Sequence, residues 1–163
     1  MLNANPPSVI SSLLTYTAFY LGLAILVNIV LRASETYANV VLQPSSLAWM
    51  PPILAAMQAG QRFGRRTQSK PPGGTMWLLS LGFVLLSLFL SLALIWGLMT
   101  FYGVEITAML TAVRDDLARA GLSIGMMAAI LAAVALILWI LLRFAFSFGV
   151  GTGIKAAVAK SSR

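Results

Sequence analysis

Four stretches without a single charged residue constrain this chain more than anything else in it: residues 9–31, 36–61, 75–104 and 123–142. A helix needs about 20 apolar residues to cross a hydrocarbon core, and each stretch reaches that length. Only 9% of the residues are charged and 60% are hydrophobic, against roughly a quarter charged in soluble domains. Too few polar groups remain to cover a soluble core. The expected fold class is all-α: a polytopic membrane helix bundle forming one domain, with spans at about 9–31, 38–61, 76–102 and 123–143. The first stretch is too long for the apolar part of a signal peptide, and no basic residue precedes it. It is therefore expected to remain as a span.

The second stretch is the least regular. It contains Asn39, Gln43, Pro44, Pro51, Pro52 and Gln58. A helix over 38–61 would extend about 36 Å at 1.5 Å per residue, enough to cross. Pro51 and Pro52 each lack an N–H, so a helix running through them should bend there. The expectation is a second span kinked by Pro51-Pro52. Its rival is a segment that dips into the membrane and returns, leaving three spans.

Small residues recur at four-residue spacing in two places. Ala56, Gly60 and Gly64 form one stripe, and Gly121, Gly125 and Ala129 another. Such stripes let helix backbones approach closely, so both are expected helix-packing faces. Tyr16 and Tyr20 lie one turn apart in the first span, and Ser80, Ser87 and Ser91 share one face of the third; packing is the expected role of both sets. Residues 105–120 alternate differently. Met109, Leu110, Val113 and Leu117 oppose Arg114, Asp115, Asp116 and Arg119, as in a short amphipathic helix lying on the membrane surface. The glycine-rich run 149–155 lacks the spacing of a phosphate loop. It is expected to be a turn leading into a basic tail, 149–163.

Charge sets the expected orientation. With four spans, the basic loop 62–75, the C-terminal tail and the N-terminus share one side. That side holds eight basic residues, at 62, 65, 66, 70, 143, 155, 160 and 163. The opposite side holds Arg32, Arg114 and Arg119 with all four acids. The positive-inside rule then makes both termini cytoplasmic. Arg62, Arg65, Arg66 and Lys70 fix this topology and face the anionic lipid headgroups. Anionic lipids are thus expected partners, together with other membrane subunits or further copies of the chain. The same positioning of cations at span ends removes nucleic acid as a partner.

The chain has no Cys and no His, which removes thiol nucleophiles, histidine acid–base chemistry and the usual zinc ligands. Glu35, Glu105, Asp115 and Asp116 all fall outside the apolar stretches, and no span carries the intramembrane ionisable group of a coupled transporter. Asp115 and Asp116 are adjacent on a helix, point apart, and read as a solvated face. No catalytic residue, cofactor or metal site is expected, and the chain is not expected to be an enzyme.

The run Ala55-Ala56-Met57-Gln58-Ala59-Gly60-Gln61-Arg62-Phe63, followed by Arg65-Arg66, resembles a family of uncharacterised bacterial four-span inner-membrane proteins. Those proteins carry an alanine-rich AGxxF segment and then basic residues. The chain departs from them where Gly73-Gly74-Thr75 replace an acidic residue. The resemblance implies a bacterial inner membrane and brings no activity with it. The function expected first is that of an accessory or assembly subunit acting through helix packing. The alternatives are a homo-oligomeric channel or small-solute permease, and an anionic-lipid-binding membrane protein.

Overall fold

The computed structural model describes residues 9–38, 47–103, 105–121 and 123–161. They form five helices and, among the described residues, no strand: α1 (Val9–Ala38), α2 (Met50–Thr67), α3 (Gly73–Tyr102), α4 (Ile106–Arg119) and α5 (Ile124–Ser161). Within α1, α3 and α5 the segments Val9–Tyr37, Gly73–Phe101 and Ile124–Ser161 are long and apolar enough to cross a membrane. The 18-residue α2 is not among them. It is interrupted by Gln58, Gln61, Arg62, Arg65 and Arg66. Residues 39–46 of the expected second span lie outside the described residues.

The prolines of α2 follow a two-residue break at Ala48 and Trp49, itself preceded by the helical Leu47. They occupy the first turn of α2, where backbone N–H groups have no intrahelical partner and a fixed φ favours the helix. Trp49 keeps a helical backbone conformation (φ −81°, ψ −18°). The chain thus enters α2 through a break in helix directly before Pro51-Pro52, and the rest of the expected kinked span lies outside the described residues. The helix closes where Gln68 adopts a left-handed φ of 51° and donates its N–H to the Gly64 carbonyl at 2.9 Å. Pro71 and Pro72 then separate it from α3. That helix ends at Gly103, whose φ of 66° is the left-handed conformation glycine tolerates best.

The amphipathic helix expected at 105–120 is α4, and its described residues are almost all exposed. Arg119 pairs with Asp116 at 3.7 Å, one turn away. The expected turn and tail at 149–163 are a correction of another kind, because α5 runs unbroken for 38 residues, through Arg143 and the glycines, to Ser161. Glycine in a helix interior costs about 1 kcal/mol relative to alanine. The packing described below offsets that cost.

Two parallel tyrosine–serine bonds fix how α1 meets α3. Tyr16 Oη pairs with Ser87 Oγ, and Tyr20 Oη with Ser91 Oγ at 2.8 Å. Both pairs are separated by 71 residues, so the two helices run side by side in the same direction. Leu13 meets Gly82 in the same register.

Burial is confined to one half of the molecule. The core joins Tyr16 and Tyr20 of α1, Ala55, Ala56 and Ala59 of α2, Leu79, Phe83 and Val84 of α3, and Leu138, Leu142, Phe146 and Val150 of α5. Phe83 is its centre. It stacks on Tyr16 with ring centroids 4.4 Å apart and meets Phe146 at 5.5 Å. Beyond this core, residues 22–37 of α1, the described residues of 92–101 of α3, and 124–137 of α5 contain no buried residue. Their outer surfaces are aliphatic and aromatic, with Ile25, Ile29, Leu92, Trp96, Ile130 and Leu131 among the most open.

Candidate functional site

Helices α2 and α5 pack backbone against backbone, and four glycines make the contact. A Cβ on Gly60 would collide with the Phe146 carbonyl oxygen and stand 3.0 Å from the Val150 nitrogen. One on Gly64 would meet the Val150 carbonyl and stand 3.1 Å from the Ile154 nitrogen. The relation is reciprocal: Gly149 faces the Met57 carbonyl and Gly153 the Gln61 carbonyl. Two Gly-x-x-x-Gly steps therefore interlock, with both helices advancing in the same direction along the seam. Each glycine brings its Cα–H against a carbonyl oxygen of the other helix, the arrangement in which weak Cα–H···O contacts form. No larger residue fits at any of these four positions.

The stripe Ala56, Gly60 and Gly64 thus lies in the seam, all three buried. Pro51 and Pro52 are buried on the same helix face. Gly149 and Gly153 are the partners that sequence reasoning missed. The signal was present in their four-residue spacing, identical to that of Gly60 and Gly64, but three glycines in five residues read more readily as a turn. The second expected stripe is placed differently. Gly121 adopts a φ of 67° just beyond α4, and a Cβ there would meet nothing within 4 Å. Gly125 would touch only the Ser123 hydroxyl, and Ala129 is exposed. Among the described residues this face has no neighbour.

A basic rim surrounds the seam. Arg62, Arg65 and Arg66 are exposed, as is Lys70 beyond the helix end. Lys155 and Lys160 of α5 add two more exposed cations. Among the described residues, none of these six pairs with a carboxylate; the ion pair of α4 is the one present. Arg65 and Lys160 flank a cleft of about 480 Å³ together with Gln68 and Ser161. Arg62 and Arg66 open onto a second, of about 340 Å³, whose other wall is Ile10, Leu14 and Ala18 of α1. Arg66 Nη1 reaches Ser11 Oγ at 3.4 Å across it.

Arg143 behaves unlike the other cations. Its guanidinium lies over the Trp77 ring, 4.0 Å from the centroid, and its Nε is buried without a hydrogen-bond partner among the described residues. Trp139 packs edge-on against Trp77 at 5.0 Å and donates its indole N–H to the Trp77 carbonyl at 3.3 Å. A cation held over an indole is stabilised by the ring quadrupole, so Arg143 can remain inside a continuous helix.

Asp115 and Asp116 are solvent-facing, and no group of His, Cys, Asp or Glu among the described residues could hold a metal ion. Comparison with protein-family models, curated proteins and solved structures gives no match.

Proposed function

We propose that the chain is an accessory or assembly subunit of the bacterial inner membrane, acting through helix packing. The observation that carries this reading is the division of the molecule into a packed half and an open half. In the open half α5 presents Gly125, Ala128, Ala129, Ala132 and Ala133, all exposed, where no other described helix packs on it. In lipid, close helix association favours small residues, because no hydrophobic force drives apolar helices together. A face of this kind suits a transmembrane helix from another chain. The resemblance of residues 55–66 to bacterial inner-membrane proteins supports the setting.

The same reading takes the chain across the membrane four times, with both termini cytoplasmic. Support comes from α1 and α3, which run in the same direction side by side. The chain between them must return to the side from which α1 starts. The segment containing α2 makes that return, bringing its arginines beside the N-terminal half of α1. A solute path through one copy has no support, since Tyr16, Phe83 and Phe146 fill the centre of the packed half.

Purification of the full chain from its native membrane in mild detergent tests the assignment. The expected result is a stoichiometric membrane partner that is lost when Ala129 is replaced by Trp. A clean monomer, or a partner indifferent to A129W, would sink it.

A further inference from the structure

We infer that the groove between α1 and the end of α2 binds an anionic phospholipid, its phosphodiester held by Arg62 and Arg66 and its acyl chain laid between α1 and α3. The inference rests on the membrane setting just proposed and on no protein partner.

The first observation is charge without compensation. Arg62 and Arg66 are one helical turn apart on α2, both are exposed, and neither meets a carboxylate among the described residues. A guanidinium is a planar fork of donors that matches a phosphate bidentately. Two forks, one turn apart and opening on a single cleft of about 340 Å³, can clasp one phosphodiester from two sides.

The second is what adjoins that cleft. Its far wall, on α1, sets Ile10, Leu14 and Ala18 beside Ser11 and Thr15, and two of these residues, Ile10 and Leu14, also border a groove of about 440 Å³ between α1 and α3. That groove is lined by Thr17, Gly82, Leu85 and Phe89. Gly82 supplies no side chain, so the groove keeps its depth there. Its polar content is low: Thr17 spends its hydroxyl on the Leu13 carbonyl at 2.9 Å. Ile10 and Leu14 are both largely exposed and form the ridge shared by the charged cleft and the apolar groove. A free phosphate would use the cleft and leave the groove idle. A phospholipid uses both, because its charge and its hydrocarbon are joined at the distance this ridge spans.

The cleft beside Arg65 and Lys160 lacks an adjoining groove of this kind. It is lined instead by Gln68, Ala156, Ala157 and Ser161, so it carries diffuse attraction for an anionic surface and no lipid seat.

The test is native mass spectrometry of the full chain after reconstitution in phosphatidylcholine vesicles containing a minor fraction of phosphatidylglycerol. The wild-type chain should retain phosphatidylglycerol well above its share of the vesicle. R62K/R66K keeps the charge, and with it the topology, but removes the forks. Retention should fall by about tenfold, the loss of roughly one hydrogen bond to a charged group, with R66K alone in between. K155Q/K160Q should retain phosphatidylglycerol as the wild type does. Equal retention by R62K/R66K and wild type would overturn the inference in favour of surface charge alone. Displacement of the lipid by inorganic phosphate would overturn it in favour of a free-anion site, and equal retention of phosphatidylcholine would remove selectivity altogether.

Discussion

At Gly60, Gly64, Gly149 and Gly153 one hydrogen atom separates a fitting side chain from a collision with backbone. Backbone cannot move aside as a flexible side chain can, so a single methyl must push α2 and α5 apart. Overpacking a tight contact costs about 1–3 kcal/mol, and G60A and G149A should each lose that much in equilibrium unfolding in bicelles. Because both residues lie on one seam, the double variant should lose less than the sum. G97A is the contrast: a Cβ at Gly97 meets nothing within 4 Å, and alanine is the better helix former. It should be neutral or stabilising. Half of this seam was readable from the order of residues. Ala56, Gly60 and Gly64 stand four apart within an otherwise ordinary helix. Gly149, Gly151 and Gly153 look like a turn until a facing helix is present to reward their smallness, and sequence order does not contain that helix.

Among the elements, α2 is the one whose form turns on two residues, its prolines. Pro51 and Pro52 are compatible with a bend in the middle of a helix or with the first turn of one, and local chemistry permits both. The choice depends on whether the backbone before them is helical in the same direction, which is a tertiary matter. Their place next to a break makes a clear expectation. P51A/P52A restores two backbone N–H groups beside the break at Ala48 and Trp49, so far-UV circular dichroism should show a small rise in helix. Unchanged helicity would mean that the prolines start α2 and interrupt nothing. Helices α1, α3 and α4 were more legible. Long uncharged runs closed by Arg32 or Gly103 leave little alternative to a helix in lipid, and the amphipathic period of 106–119 is plain. For α5 the end was misjudged because Arg143 reads as a stop. The indole of Trp77, contributed by α3, lies under its guanidinium there.

For the whole molecule, orientation follows from where the cations gather. Arg62, Arg65, Arg66 and Lys70 at the end of α2, with Lys155 and Lys160 on α5, should hold that end in the cytoplasm. A reporter fused to the N-terminus should therefore signal from the cytoplasm. Removing the charges at 62, 65, 66 and 70 together should send a measurable fraction of chains in with the opposite orientation. A periplasmic N-terminus in the unaltered protein would defeat the four-crossing arrangement and restore a segment that enters and leaves on one side.

A helix of 38 residues is about 57 Å long at 1.5 Å per residue, nearly twice the roughly 30 Å of a hydrocarbon core. Helix α5 must therefore lean or protrude, and the extent of lean is set by the thickness of the surrounding bilayer. Since the interlocked glycines clamp α2 to its last third, the two move as one rod, with the arginines mounted on it. Whatever tilt or protrusion the surplus of about 27 Å imposes on α5 is therefore shared by α2, and Arg62, Arg65 and Arg66 take their height from the longer helix.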